Sequence, residues 1–204
     1  MAHGPSTPGC GAPIVISMPR SHRLELAGGI FHITARGNRK HDIFVDDGDR
    51  HIFLHLFAAT VGHCGWRCHA YCLMPNHFHL VIETLEANLS AGMQRLNGTY
   101  AQWFNHRHGL CGHVFQGRFH STLVENDAHL LELSRYIVLN PTRAGLCLDP
   151  TEWTWSSLSA TLGRITAPGF LTVDWLLSQF GHDTERARTV YEDFVRYAMP
   201  PSRR

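Results

Sequence analysis

Apolar and polar positions alternate in some stretches of this chain and recur every three to four residues in others. Gly29 to Arg36 reads Gly-Ile-Phe-His-Ile-Thr-Ala-Arg. Phe31, Ile33 and Ala35 therefore share one face and His32, Thr34 and Arg36 the other, as on a half-buried strand. Trp66 to Leu73 and His77 to Glu83 are two runs of apolar, aromatic and β-branched residues, with Pro75 and Asn76 between them as turn residues. That pattern predicts a hairpin. In its second strand His77, His79, Val81 and Glu83 point one way, and Phe78, Leu80 and Ile82 the other.

The helical signals lie between these strands. Asp47 to Val61 carries Ile52, Leu56 and Ala59 in one stripe, with Phe53 and Phe57 beside it. Asp46, Asp47 and Asp49 sit at the end where the helix dipole favours anions, and Gly62 or Gly65 ends the helix. Asn88 to His106 spaces Leu89, Met93, Leu96, Tyr100 and Phe104 for a second helix, followed by a basic end and the stop Gly109. Gly112 to Val124 reads as a fourth strand, bent at Gly117. Asn126 caps a third helix from Asp127 to Asn140, which Pro141 cannot continue.

Residues 1–17 are rich in Gly, Pro, Ser and Ala, have no period and are expected to be a disordered extension. Met18-Pro19-Arg20 reads as a more natural beginning. After Pro150 the character changes. Trp153, Trp155 and Leu158 can pack back on the domain, and two short amphipathic helices follow, Val173 to Phe180 and Thr184 to Tyr197. The expected organisation is one main domain over 18–149 and a C-terminal helical appendage over 150–204. The order β-α-β-β-α-β-α predicts an α+β fold, an antiparallel sheet of about four to five strands carrying helices.

Composition narrows the class without deciding it. Hydrophobic content is 44% and no apolar run approaches the length of a membrane span. No secretory signal is visible, so a cytoplasmic protein with no membrane partner is expected. Formal net charge is +1, from 18 basic and 17 acidic residues; a local basic patch is still enough for phosphate contact. All but one of the basic residues are Arg, which suits bidentate phosphate contacts but is also what a GC-rich genome gives, the explanation preferred here. Gly37-Asn38-Arg39-Lys40 is either a plain solvated loop or a phosphate-contacting one. Cys64, Cys68 and Cys72 are evenly spaced, which invites a zinc reading, but the spacing is wrong for a CxxC knuckle and small buried thiols fit better.

Two imidazoles two residues apart on a strand stand roughly 6 to 7 Å apart at their bases and can lean onto one divalent cation. The chain has 16 His, so His77 and His79 alone also fit two half-exposed strand histidines. A second stretch changes the odds: Arg135-Tyr136-Ile137-Val138-Leu139-Asn140-Pro141. Tyr136 and Asn140 are an i,i+4 pair on one helix face. If that helix crosses the face bearing His77 and His79, three metal-binding groups and a phenol converge, with open positions on the cation, as a catalytic metal needs.

These stretches carry a resemblance. Met74-Pro75-Asn76-His77-Phe78-His79, Gly117-Arg118-Phe119 and Arg135 to Pro141, with Arg143-Ala144-Gly145-Leu146, resemble the single-tyrosine HUH transposases of the IS200-like group, and most closely the REP-associated tyrosine transposase branch. The resemblance runs from about Met18 to Asp149. It implies a ferredoxin-like HUH endonuclease fold and a metal-dependent single-stranded DNA endonuclease and strand transferase. Mg²⁺ or Mn²⁺ would be held by His77, His79 and Asn140. Tyr136 would form a 5′-phosphotyrosine and release a 3′-OH on hairpin-bearing DNA. Arg36, Asn38, Arg39, Arg118 and Arg143 fall in or beside the motifs and are assigned to DNA. Relatives of this kind act as a monomer or as a homodimer with exchanged tyrosine helices. The rival readings are a metal nuclease using water, with Tyr136 structural, and a domesticated DNA-hairpin binder without catalysis.

Overall fold

The computed structural model describes residues 25–199. The extension expected over residues 1–17 and the start at Met18 lie outside them. Strand β1 (Gly29–Arg36) leads through a short 3-10 turn at Asn38–Lys40 into helix α1 (Asp47–Cys64). A hairpin follows, β2 (Trp66–Met74) and β3 (His77–Thr84), then α2 (Leu89–His108), β4 (His120–Leu123) and α3 (Asp127–Val138). The sheet order is β2-β3-β1-β4 with all neighbours antiparallel. This is the split β-α-β of ferredoxin-like folds.

Local chemistry sets the helix ends. Asp46 caps α1 by accepting from Asp49 N, and Asp49 returns the bond to Asp46 N. Gly65, one of the two expected stops, ends it in the left-handed conformation at φ 65°, after a last helical residue, Cys64, three beyond the expected Val61. Buried Asp49 also grips Arg107 and His108 at the end of α2, locking the two helices together.

Each face of the sheet has its own core. Phe31, Ile33, Phe78, Leu80 and Ile82 meet Phe53 and Phe57 of α1 and Met93, Leu96 and Tyr100 of α2. On the opposite face Ala70, Cys72, Met74 and Val81 meet Leu130, Leu133 and Ile137 of α3. The switch inside β2 comes from a bulge: Cys68 pairs with Ile82 and Ala70 with Val81, leaving His69 over. Cys68 and Cys72 therefore end on opposite faces and cannot share a zinc ion. Burial pushes both thiols above their ordinary range.

Two expectations are corrected. The fourth strand is not Gly112 to Val124 but only His120–Leu123. Residues 112–119 form a loop whose backbone bonds run across to the β1–α1 connection, Asn38 N to Val114 O and Gln116 N to Arg36 O. Gly112, at φ 91°, provides a left-handed turn inside it. The third helix ends at Val138 rather than Asn140. Leu139 follows, and a one-turn helix α4 (Asn140–Arg143) takes Pro141 into its first turn, where a missing N–H costs nothing.

The chain then returns along β2. Leu73 N donates to Trp155 O, Ser157 N to Tyr71 O and Thr172 N to Cys68 O. Short helices α5 (Leu158–Thr161) and α6 (Asp174–Ser178) and the longer α7 (Thr184–Tyr197) build a further core with Val138 and Leu139. Among the described residues no helix is long and apolar enough to cross a membrane.

Candidate functional site

The α3 face of the sheet gathers the chemistry. β3 presents His77 and His79 there, and β1 presents His32, Thr34 and Arg36, with Thr34 opposite His79 and Arg36 opposite His77. The His77 and His79 rings have centroids 5.0 Å apart. Tyr136, on α3, places its ring 6.1 Å from that of His79 and nearly perpendicular to it, at 87°. It is 43% exposed, so the residue remains within reach of solvent although its ring contacts His79. The Arg143 guanidinium carbon lies 5.0 Å from the Tyr136 ring centroid.

Each histidine is oriented through its Nδ1. Asn76 Nδ2 donates to Lys40 O at 3.1 Å, which fixes Asn76 Oδ1 as the other end of the amide. That oxygen lies 2.7 Å from His77 Nδ1 and can only accept, so His77 carries its proton on Nδ1 and presents a lone pair at Nε2. His79 Nδ1 lies 2.9 Å from His32 Nε2, and the two rings stack at 11°. His79 Nε2 is buried and has no hydrogen-bond partner. A buried, unpaired imidazole nitrogen is costly unless something fills the place. Burial, and then the neighbouring imidazoles, hold His79 down to about 3 and His32 to about 4. His77 is lowered too, by burial and then by the charge of Arg36. All three rings are therefore neutral at physiological pH, the state a metal ligand needs.

Asn140 sits one turn below Tyr136. Its Nδ2 donates to Tyr136 O at 3.0 Å and to Ile137 O at 3.3 Å. Carbonyls accept only, so the amide end toward these carbonyls is Nδ2 and Oδ1 is the other end. Among the described residues no three His, Cys, Asp or Glu side chains are grouped to hold a metal ion. The donors on offer are two imidazoles and one amide oxygen, a mixed nitrogen and oxygen set that fits a divalent cation with open positions.

Three loops are stitched together at one end of the sheet: Arg36 closes β1 beside them, Asn38 and Arg39 lie on the β1–α1 connection and Arg118 on the loop at 112–119, while Arg143 lies on α4. The hairpin turn accepts from the β1–α1 connection, Ile43 N and Phe44 N onto Pro75 O and Gly37 N onto Asn76 O. The loop at 112–119 bonds to the same connection and carries Arg118. Arg36, Arg39 and Arg118 are exposed, and Asn38 is half-buried. Gly37 is required by proximity: a Cβ there would lie 2.0 Å from His41 O. Arg39 and Lys40 adopt left-handed backbone at φ 52° and 64°, uncommon for side chains of this kind and typical of loops held for a purpose. The geometry thus brings together His77, His79, Tyr136 and Arg143, with Arg36 opposite His77, Asn38, Arg39 and Arg118 on the adjoining loops, and Asn140 bonded to the backbone of Tyr136. Asn76 and His32 join the site without having been expected in it. Asn76 reads only as a turn residue in the sequence, and His32 only as a polar position on the first strand.

The family model for IS200-like transposases matches residues 27–140. No curated protein matches the chain. Among solved structures, a REP-associated tyrosine transposase bound to a REP hairpin is similar, with a TM-score of 0.61 and 20% identity, covering 82% of this chain and 93% of that one. A structure described as a transposase from Deinococcus radiodurans R1 is 15% identical over 60% of this chain and 95% of that one, with a TM-score of 0.41, and does not bear on the fold. With the family match spanning β1 to the start of α4, the chain belongs to the IS200-like transposases and is a DNA transposase.

Proposed function

We propose that this transposase nicks and rejoins single-stranded, hairpin-bearing DNA through a 5′-phosphotyrosine on Tyr136, with Mg²⁺ or Mn²⁺ held by His77, His79 and Asn140. The observation that carries the metal reading is His79 Nε2, buried and unpartnered beside His77 and Tyr136. A bound cation would neutralise a phosphate oxygen and the leaving oxygen. The mixed donor set favours Mn²⁺ over the harder Mg²⁺.

In the cleavage step the Tyr136 oxygen bonds to phosphorus and the P–O3′ bond breaks. The 3′-oxygen leaves and takes up a proton as the phenol gives one up. Attack by another 3′-OH on the phosphotyrosine runs the step backwards and joins the strands, so the bond energy is kept. Arg143 holds the Tyr136 ring and supplies positive charge where the phosphate must lie. Arg36, Asn38, Arg39 and Arg118 bind and orient the backbone on either side. The REP-type hairpin as substrate is supported by the likeness to the hairpin-bound transposase. Tyr136 reaches His79 of its own chain, which supports a monomer acting in cis. On this reading residues 18–149 are the catalytic unit, residues 150–204 its appendage, and the cytoplasm its location.

The test is incubation of the full chain with end-labelled hairpin DNA and Mn²⁺, followed by denaturing electrophoresis. A covalent adduct absent from Tyr136→Phe supports the reading. Cleavage without an adduct would instead favour a nuclease using water.

A further inference from the structure

We infer that His32 is a positioning residue for the metal site: it accepts a hydrogen bond from His79 Nδ1 and so fixes His79 in the tautomer that presents Nε2 to the cation. The inference rests on the metal reading above and goes one shell outward from it.

His32 is opposite Val81 on β3 and diagonal to His79; diagonal neighbours on one sheet face are within reach of long side chains. The result is a 2.9 Å contact between His32 Nε2 and His79 Nδ1, with rings stacked 5.2 Å apart. One of these two nitrogens must carry the proton. If His32 donated, His79 would accept at Nδ1 and carry its own proton on Nε2. That N–H would be buried without an acceptor, because His79 Nε2 has no partner, a costly arrangement. If His79 donates, its Nε2 is a bare lone pair that needs no acceptor and can serve a cation.

The other histidine provides an independent comparison within the same site. His77 Nδ1 is held by Asn76 Oδ1, which can only accept. Each strand histidine thus has an acceptor behind Nδ1 and a free Nε2 in front. His32 does for His79 what the amide of Asn76 does for His77. Ligating histidines hold their ring orientation and basicity through such outer partners, and losing one weakens metal binding by about 10- to 100-fold.

The test uses the full chain without DNA. Mn²⁺ affinity is measured by the signal of the free ion in electron paramagnetic resonance for the wild type, His32→Phe, His32→Gln and His79→Ala. Side-chain ¹⁵N shifts of His79 in the metal-free wild type report its tautomer. His32→Phe keeps the stacked ring and removes the acceptor, so Mn²⁺ affinity should fall by at least 10-fold. His32→Gln returns an oxygen near the place of Nε2 and should recover most of the loss. The ¹⁵N shifts should show His79 protonated on Nδ1. Protonation on Nε2 instead, or wild-type Mn²⁺ affinity in a folded His32→Phe, would overturn the inference. If His79→Ala also binds Mn²⁺ as the wild type does, the metal site itself is misplaced; if only His79→Ala loses the ion, the metal reading stands and the role of His32 does not.

Discussion

Tyr136 and His79 meet ring against ring within one chain, their planes at 87° and their centroids 6.1 Å apart. On the proposed mechanism the nucleophile and the histidine it serves then belong to one chain, joined by the covalent path through α2, β4 and α3. A mixture of Tyr136→Phe and His79→Ala should therefore form no more adduct than either variant alone. Restoration of the adduct on mixing would mean that tyrosine helices are exchanged between subunits.

Arg143 stacks on the Tyr136 ring while remaining exposed. A cation–π contact at such a place contributes about 0.5–1 kcal/mol, so positioning alone predicts a loss of about 2- to 5-fold in adduct formation for Arg143→Leu, with any phosphate contact adding to it. Arg143→Lys should retain part of the rate. Single-turnover kinetics at saturating DNA separate positioning from binding; an unchanged rate there would reduce Arg143 to a DNA contact.

The two bonds from Asn140 to backbone carbonyls change what its removal should do. Sequence position alone suggests a variant of unchanged stability. With its amide closing the end of α3, Asn140→Ala should lose about 0.5–1.5 kcal/mol and raise the Mn²⁺ needed for half-maximal cleavage. Urea denaturation of the metal-free protein reads the first effect, and Mn²⁺ titration of cleavage the second. A variant as stable as wild type contradicts the capping role, and an unchanged Mn²⁺ requirement the ligand role.

Arg36, at the end of β1, and Arg39 and Arg118, on the adjoining loops, are exposed. Replacing one by Gln should weaken binding evenly across hairpin sequences and flatten the salt dependence by roughly 0.7 to 1 unit in the log–log slope. A changed hairpin preference at constant slope would make that residue a base reader.

His32 and His79 are held at about 4 and about 3, against about 6.5 in an unfolded chain. Between those values the unfolded state binds more protons than the folded one. Their contribution is therefore full above about pH 6.5 and is lost as pH falls toward about 4 for His32 and about 3 for His79, by about 1.4 kcal/mol per pH unit for each ring. The urea midpoint should drop between pH 7 and pH 5, and less steeply in His32→Gln. A midpoint that does not move over this range would mean that the rings are not buried neutral.

Much of the site was legible because strand and helix periods are simple. Alternation put His77 and His79 on one face, and an i,i+4 step put Asn140 below Tyr136. What was not legible depends on pairing between distant segments. Nothing local reveals that β1 lies beside β3 with His32 diagonal to His79, or that Asn76 is anchored by Lys40 O. The bulge at His69 has no sequence signal, although it decides which way Cys68 and Cys72 face. Phe115 looks like a strand residue, but it bridges to Gly37 and its neighbours Val114 and Gln116 bond to Asn38 and Arg36, so 112–119 runs across the sheet's end instead of along its edge.

The segment after Pro150 has a consequence for assembly. Its backbone contacts with Cys68, Tyr71 and Leu73 occupy the outer side of β2. An uncovered strand edge is a template for pairing with another chain, and here that edge is already used. A second copy could extend this sheet only along β4, which offers four residues, His120 to Leu123, or by first peeling away the segment that begins with Trp153 and Trp155.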